Sequence, residues 1–214
     1  MKRFIFTSLA VLAFALHASA SIITNTFTSG FANGGYIPDN DFTGWTDTRT
    51  LSGNTGLTVA DVRVTLNIVD GWNGDLYGYL VHDSGFVVLL DRVGKDGLNP
   101  FGFSNAGFTG VTLWDGQGNS LIQTNGTYSG GSSAALGTGN YTSSDGTLHT
   151  AFDGLAVDGN WSLFLADLSS GDISQVTGWT LTIDAVPEPT TWAMLIFGAV
   201  FGGVRFASWR KSRA

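Results

Sequence analysis

The sequence contains no cysteine. A thiol nucleophile, a thiolate metal site and dithiol redox chemistry are therefore excluded, and no disulfide staples the chain. Glutamate is nearly absent too: Glu188 is the only one, against sixteen aspartates. Asp favours turns, where its short side chain reaches nearby backbone N–H groups, whereas Glu favours helices. The bias predicts short strands joined by tight loops and little helix, and thirty glycines agree with it. Basic residues are scarce in the middle of the chain. Between Ser21 and Ala185 only Arg49, Arg63, Arg92 and Lys95 oppose the sixteen aspartates, a net charge of −12 against −7 for the whole sequence. Such a surface repels nucleic acid and anionic lipid, so nucleic acid is not an expected partner. Without disulfides, stability must come from the core, with bound calcium (Ca2+) as the one cofactor that the aspartates suggest.

The two ends carry what the middle lacks. Lys2 and Arg3 precede a largely apolar Phe4–Leu16, and Ala18-Ser19-Ala20 supplies the small residues that a signal peptidase reads. Residues 1–20 are expected to be a secretory signal peptide, cut after Ala20. At the other end, residues 186–214 hold Pro187-Glu188-Pro189, an apolar run from Trp192 to Val204, and a basic cluster of Arg205, Arg210, Lys211 and Arg213. As a helix, the 18 residues from Trp192 to Trp209 would span roughly 27 Å at about 1.5 Å per residue, slightly short of a usual bilayer core. Arg205 would snorkel towards the headgroups, and basic residues after a span mark the cytoplasmic side. The chain before Pro187 would then lie outside the cytoplasm.

This order of motif, span and basic end resembles the PEP-CTERM sorting signal of Gram-negative bacteria. The resemblance implies a C-terminal transmembrane helix in the inner membrane and processing by an exosortase, with this chain as substrate. It also implies delivery to the cell surface or the extracellular polysaccharide matrix.

The remaining 21–185 segment, about 165 residues, suits one domain. Ser21–Gly35 reads as a loose entry, and a first strand is expected over Gly44–Leu51. Asp61–Val69 gives the clearest strand, since Val62, Val64, Leu66 and Ile68 alternate with polar residues. Leu76–His82 and Phe86–Leu90 follow, around a hairpin loop at Asp83-Ser84-Gly85. Gly94–Gly110 looks irregular. Val111–Trp114 and Ser120–Gln123 flank Asp115-Gly-Gln-Gly118 as a further hairpin, and Thr124–Gly146 reads as a long loop. Alternation returns at Asn160–Ala166 and Gly178–Asp184, where Trp161 and Trp179 fall on apolar faces. Seven or eight such strands predict an all-β, antiparallel sandwich or jelly roll.

The same residues resemble the P domain (P/Homo B domain) that follows the catalytic domain in proprotein convertases and many secreted bacterial proteases. The likeness rests on Ile37-Pro38-Asp39-Asn40, Asp61-Val62, Gly74-Asp75-Leu76, Leu89-Leu90-Asp91-Arg92, Phe152-Asp153-Gly154, Gly159-Asn160-Trp161-Ser162-Leu163, Asp167 and Gly178-Trp179-Thr180-Leu181. It implies a galactose-binding-like jelly-roll β-sandwich. The Asp, His and Ser segments of a subtilisin-like catalytic domain do not precede it here, so the module is expected to stand alone on the sorting tag.

Chemistry is sparse. His82 and His149 are expected at the surface, because neighbours on a strand point to opposite faces and His82, Asp83 and Ser84 cannot relay a proton. Asp70 and Asp75, with Asp167, are the candidate calcium ligands, since hard oxygens clustered at a turn suit that ion. The plain alternative is that these aspartates only build the turn. Trp72 and Trp114, beside glycine-rich turns, are the candidate contacts for extracellular polysaccharide, while Trp161 and Trp179 belong to the core. A non-enzymatic surface or matrix protein is the expected function. A carbohydrate-binding module is the first alternative, and a hydrolase working through a carboxylate pair is the second.

Overall fold

The structure, a computed structural model, describes residues 20–128 and 133–188. The expected signal segment 1–19, the apolar run 192–204 and the basic residues Arg205, Arg210, Lys211 and Arg213 lie outside the described residues, as does Pro189. Among the described residues no helix is long and apolar enough to cross a membrane.

Among the described residues, ten strands form two sheets. In chain order they are β1 (Ser21–Phe27), β2 (Asp41–Leu51), β3 (Leu57–Val69), β4 (Leu76–His82), β5 (Gly85–Asp91), β6 (Gly107–Leu113), β7 (Ser120–Leu121), β8 (Gly139–Thr142), β9 (Gly159–Asp167) and β10 (Gln175–Pro187), with one short helix, α1 (Leu148–Phe152), before β9. The larger sheet runs β1-β10-β3-β6-β8-β7 and the smaller β2-β9-β4-β5. Their inner faces meet in one core. Val62, Val64, Leu66 and Ile68 of β3 and Trp179, Leu181 and Ile183 of β10 pack there with Leu76, Leu80, Trp161, Leu163 and Leu165 of the smaller sheet. The chain is thus an all-β sandwich, and each strand read from period-two alternation is present. A polar bond also crosses between the layers: the Trp179 indole N–H donates to the buried Asp47 carboxylate (2.7 Å), which also accepts from Arg49 Nε (2.8 Å).

Four expectations change. Ser21–Phe27 is not a loose entry but an edge strand, antiparallel to β10 from Ser21↔Ala185 to Phe27↔Trp179. Its outward Thr24 and Thr26 meet Thr182 and Thr180, and Phe27 packs at 4.7 Å on the Trp179 ring. Second, β6 and β7 do not form a hairpin. The supposed loop between Thr124 and Gly146 supplies β8, which lies between them and runs parallel to both. Residues 133–142 track the whole edge of β6, beginning with bridges at Asn105↔Ser133 and Phe108↔Leu136. An edge-covering strip needs backbone groups rather than apolar side chains, so Gly, Ser and Thr suffice there.

Third, His82 is buried, not at the surface. It stacks flat on Trp161 (3.9 Å, 4°), and its Nδ1 and Nε2 face the carbonyl oxygens of Asn160 and Ala156 at 3.0 and 2.7 Å. His149 is exposed, as expected. Fourth, β10 passes the expected boundary at Ala185. Val186 and Pro187 pair with Thr58 and Leu57, and the Glu188 N–H donates to Gly56 O (2.9 Å).

Candidate functional site: the Trp72 cleft

The turn between β3 and β4 builds one rim of the site. Asp70 and Gly71 both take positive φ (59° and 62°), which reverses the chain after Val69, and a single 3-10 turn, Asn73–Asp75, then leads into β4. Glycine is required at 74, where a Cβ would collide with Phe101 O and the Gly102 backbone. That close approach lets the loop after β5 dock on the turn, through Asn73 N–H to Asn105 O (3.0 Å) and Gly74 N–H to Phe103 O (2.9 Å). The loop is stiffened from within, because the Asp96 carboxylate accepts from the N–H groups of Leu98 (2.8 Å) and Asn99 (2.7 Å). Those bonds hold its carboxyl below the usual aspartate range.

Between turn and loop lie two adjoining hollows that share Trp72 and Phe101. One, about 250 Å³, is completed by Asp75, Ser169, Ser170 and Asp172. The other, about 410 Å³, is completed by Leu98, Asn99, Pro100 and Tyr128. Phe101 is exposed and Trp72 half-buried, and the Trp72 indole N–H is buried without a hydrogen-bond partner. Tyr128 is fixed by its hydroxyl, which donates to Gly94 O (2.6 Å).

Below the smaller hollow two aspartates come together where β9 ends and β4 begins. Asp75 is met by Arg92, whose guanidinium lies 3.4 Å away and also donates to Gly74 O (3.0 Å). Even so, burial pushes the Asp75 carboxyl up, with Arg92 opposing the shift and Asp172 adding to it. Asp167 is fully buried. One of its oxygens accepts from the Ser169 N–H (3.1 Å), and the other has no partner. Burial raises its carboxyl to about 6, and the neighbouring charges of Asp75 and Asp39 add to the rise.

The calcium set proposed from sequence does not assemble. Asp75 and Asp167 meet, but Asp70 is exposed on the preceding turn, and the charge of Asp75 is already matched by Arg92. Among the described residues no group of three or more His, Cys, Asp or Glu side chains is placed to hold a metal ion. Trp72 lines a cleft. Trp114 is differently placed: its indole N–H donates to Asp61 (2.5 Å), the Arg63 guanidinium covers its ring at 4.6 Å, and Gly116 packs against it. It is half-buried above a shallow depression beside Asp115 and His149, a ring already stacked within the protein. Phe101, Ser169, Ser170 and Asp172 were missed from sequence because they lie in loops without periodicity. The stretch Ser169-Ser-Gly-Asp172 beside Asp167 carried a signal, since a polar run after a Trp-led strand must form one end of the sandwich.

What the cleft offers is two aromatic walls, with acceptor carboxylates and hydroxyls at the floor. That set matches a ring with an apolar face and hydroxyl edges.

No known protein family matches the chain, and no curated protein matches it in sequence. Among solved structures it is similar in fold to an Aeromonas sobria serine protease in complex with the chaperone ORF2, with a TM-score of 0.51 at 14% identity over 79% of this chain. The structure of the Aeromonas sobria serine protease without that partner gives a TM-score of 0.46 at the same identity and coverage. The chain spans 27% of the length of that protease, so the likeness concerns the fold of one part of it. What the fold and cleft define is a class: a β-sandwich with an aromatic cleft at one end.

Proposed function

We propose that this chain is a non-enzymatic exported surface or extracellular-matrix protein, released from its signal segment by signal peptidase and handled at its C-terminal tag by an exosortase-type peptidase. Its mature part is a jelly-roll module of the P/Homo B kind. One observation carries the reading. Among the described residues the first strand begins at Ser21, the residue after the Ala-Ser-Ala site, and the last runs to Pro187, where Pro-Glu-Pro begins. Those two strands are antiparallel neighbours. A sandwich whose paired first and last described strands reach the two processing motifs suits an exported, trimmed module. Mass spectrometry of the protein from cells with and without the sorting peptidase tests it. The expected result is an N-terminus at Ser21 in both, and a C-terminus within the 186–214 tag only where the peptidase is present. A chain recovered from the cytosol with both ends intact would overturn it.

A second reading adds glycan binding, on the strength of the Trp72 cleft. The half-buried Trp72 ring, the exposed Phe101 ring and the Asp172 and Ser170 side chains supply both a stacking surface and hydrogen-bond partners for one sugar.

A further inference from the structure

The outer face of the smaller sheet carries aromatic side chains from all four of its strands. Tyr79 of β4 stacks on Phe164 of β9 (4.6 Å, 14°), meets Phe86 of β5 at 5.1 Å, and takes Tyr77 edge-on at 6.2 Å. Phe42 of β2 completes the strip. Phe42 is 75% exposed and Phe86 53%, values that a strand residue serving only to stabilise the sheet does not need. Phe42, Tyr77, Tyr79 and Phe164 line a hollow of about 490 Å³, bounded by Asp91, Ala166 and Leu168.

That hollow adjoins the Trp72 cleft along the chain. Asp75, the last residue of the 3-10 turn, lines the cleft, and Tyr77, two residues on in β4, lines the strip. At the end of β9, Leu168 borders the strip while the next two residues, Ser169 and Ser170, border the cleft.

We propose that the aromatic strip continues the Trp72 cleft into one extended track that binds a neutral polysaccharide chain along several sugar units. The inference rests on the glycan-binding reading of the cleft and is independent of how the chain is exported. Charge selects the occupant. No Lys or Arg lines either hollow of the cleft or the strip, and the 21–185 segment carries −12. An anionic polysaccharide, a nucleic acid or an anionic bilayer would be repelled, and a second copy of the chain would bring the same charge. The polar side chains of the smaller cleft hollow and of the strip are carboxylates and hydroxyls, which accept hydrogen bonds from sugar hydroxyls. The rings supply flat apolar faces for the C–H faces of pyranoses.

The test is calorimetric titration of the full chain with neutral glucan, mannan, xylan and galactan ladders from disaccharide to decasaccharide, with an alginate ladder as the anionic control. For at least one neutral ladder, affinity is expected to rise with chain length, with no binding of alginate. Tyr79→Ala and Phe164→Ala should lower affinity for the longest member by about tenfold or more and leave the disaccharide unchanged, whereas Trp72→Ala should weaken every member. Phe42→Ala, at a position too exposed to disturb folding, should reproduce the loss for long chains in smaller degree. Disaccharide binding without length dependence overturns the track and leaves the cleft reading standing. No binding by any neutral ladder overturns both. Sedimentation showing a wild-type dimer that Phe42→Ala dissociates, or co-sedimentation with neutral phosphatidylcholine vesicles that the same variant abolishes, also overturns the track, by assigning the face to a second copy or to a bilayer.

Discussion

Asp167 has no solvent exposure, and one of its carboxylate oxygens has no donor. Its charged form is penalised by burial, so the folded chain holds a proton there up to about pH 6, against the ordinary 3.8. The sign follows from proton binding: a raised carboxyl contributes stability that is fully present below about pH 4 and is lost as pH rises through about 6. Asp75 is shifted in the same direction by the same cause. Asp41 and Asp96 are shifted the other way by hydrogen bonds to their carboxylates, and their contributions change only below the ordinary aspartate range. The window from pH 5 to 7.5 therefore spans the Asp167 transition and lies above those of Asp41 and Asp96. Wild type is expected to melt at a higher temperature at pH 5 than at pH 7.5. Asp167→Asn, which keeps an acceptor for the Ser169 N–H and removes the charge, should stabilise the protein at pH 7.5 by about 1–2 kcal/mol and flatten that difference. Thermal melts followed by circular dichroism at the two pH values read both effects. An equal pH slope in the variant would mean that general repulsion among the aspartates, not Asp167, sets it.

Elements separate into those that announce themselves and those that do not. β3, β4, β9 and β10 were legible because one face is buried and the other polar, which writes a period of two into Val62–Ile68, Leu76–Leu80, Trp161–Leu165 and Trp179–Ile183. β1 was not legible. Ile23, Asn25 and Phe27 are only partly buried, so the alternation that normally marks a strand is diluted. The strip 133–142 was hidden more deeply, since it is held by backbone bonds such as Thr109 N–H to Leu136 O (2.8 Å) and Ala106 N–H to Ser133 O (3.0 Å). The cleft was half-legible: Trp72 and Asp75 stood out beside a turn, but nothing in the sequence says that Phe101 and Asp172 arrive from two other loops. The aromatic strip was not legible: Tyr77 and Tyr79 fall within the expected Leu76–His82 strand, but nothing in the sequence says which face is outward. Glycines at strand entries can be ranked on the same physical ground. Gly107 begins β6 at φ +87°, and a Cβ there would enter the Ile68 carbonyl. Gly53 has a similar φ, +90°, but open space around it. Gly107→Ala is expected to cost about 3 kcal/mol or more from combined strain and collision, and Gly53→Ala about 1 kcal/mol from strain alone. Urea unfolding of the two variants measures the gap, and equal losses would show that the β6 entry relaxes freely.

At the scale of the whole molecule, β10 pairs with the first described strand and carries the last described strand residues itself. It lies between β1 and β3 and pairs along nearly its full length, so its last residues close the sandwich against Leu57, Thr58 and Val59. Ala185 is fully buried in the core, and Glu188 still bonds to Gly56 through its backbone. The Pro-Glu-Pro motif is therefore not separated from the domain by a linker: Pro187 ends β10, and Glu188 is bonded to the turn before β3. Proline is tolerated at 187 because the strand is ending there and no further ladder bond is needed from its nitrogen. A peptidase that removes the C-terminal segment must then cut at or beyond this point to leave the fold intact. Cutting before Ala185 would strip a buried side chain and four strand pairs, three with β3 and one with β1, from the larger sheet. Chains ended at Glu188, Val186 and Asp184 separate the cases. The Glu188 chain is expected to melt like one carrying the following Pro189 and Thr190. The Val186 chain should lose about 1 kcal/mol with the Glu188 and Pro187 contacts. The Asp184 chain should lose about 2–4 kcal/mol, through the exposed apolar surface left by Ala185 and Val186 and the unpaired groups of Thr58 and Val59. If the Asp184 chain is as stable as the longest one, the end of β10 contributes nothing to the fold, and the motif is free of the domain after all.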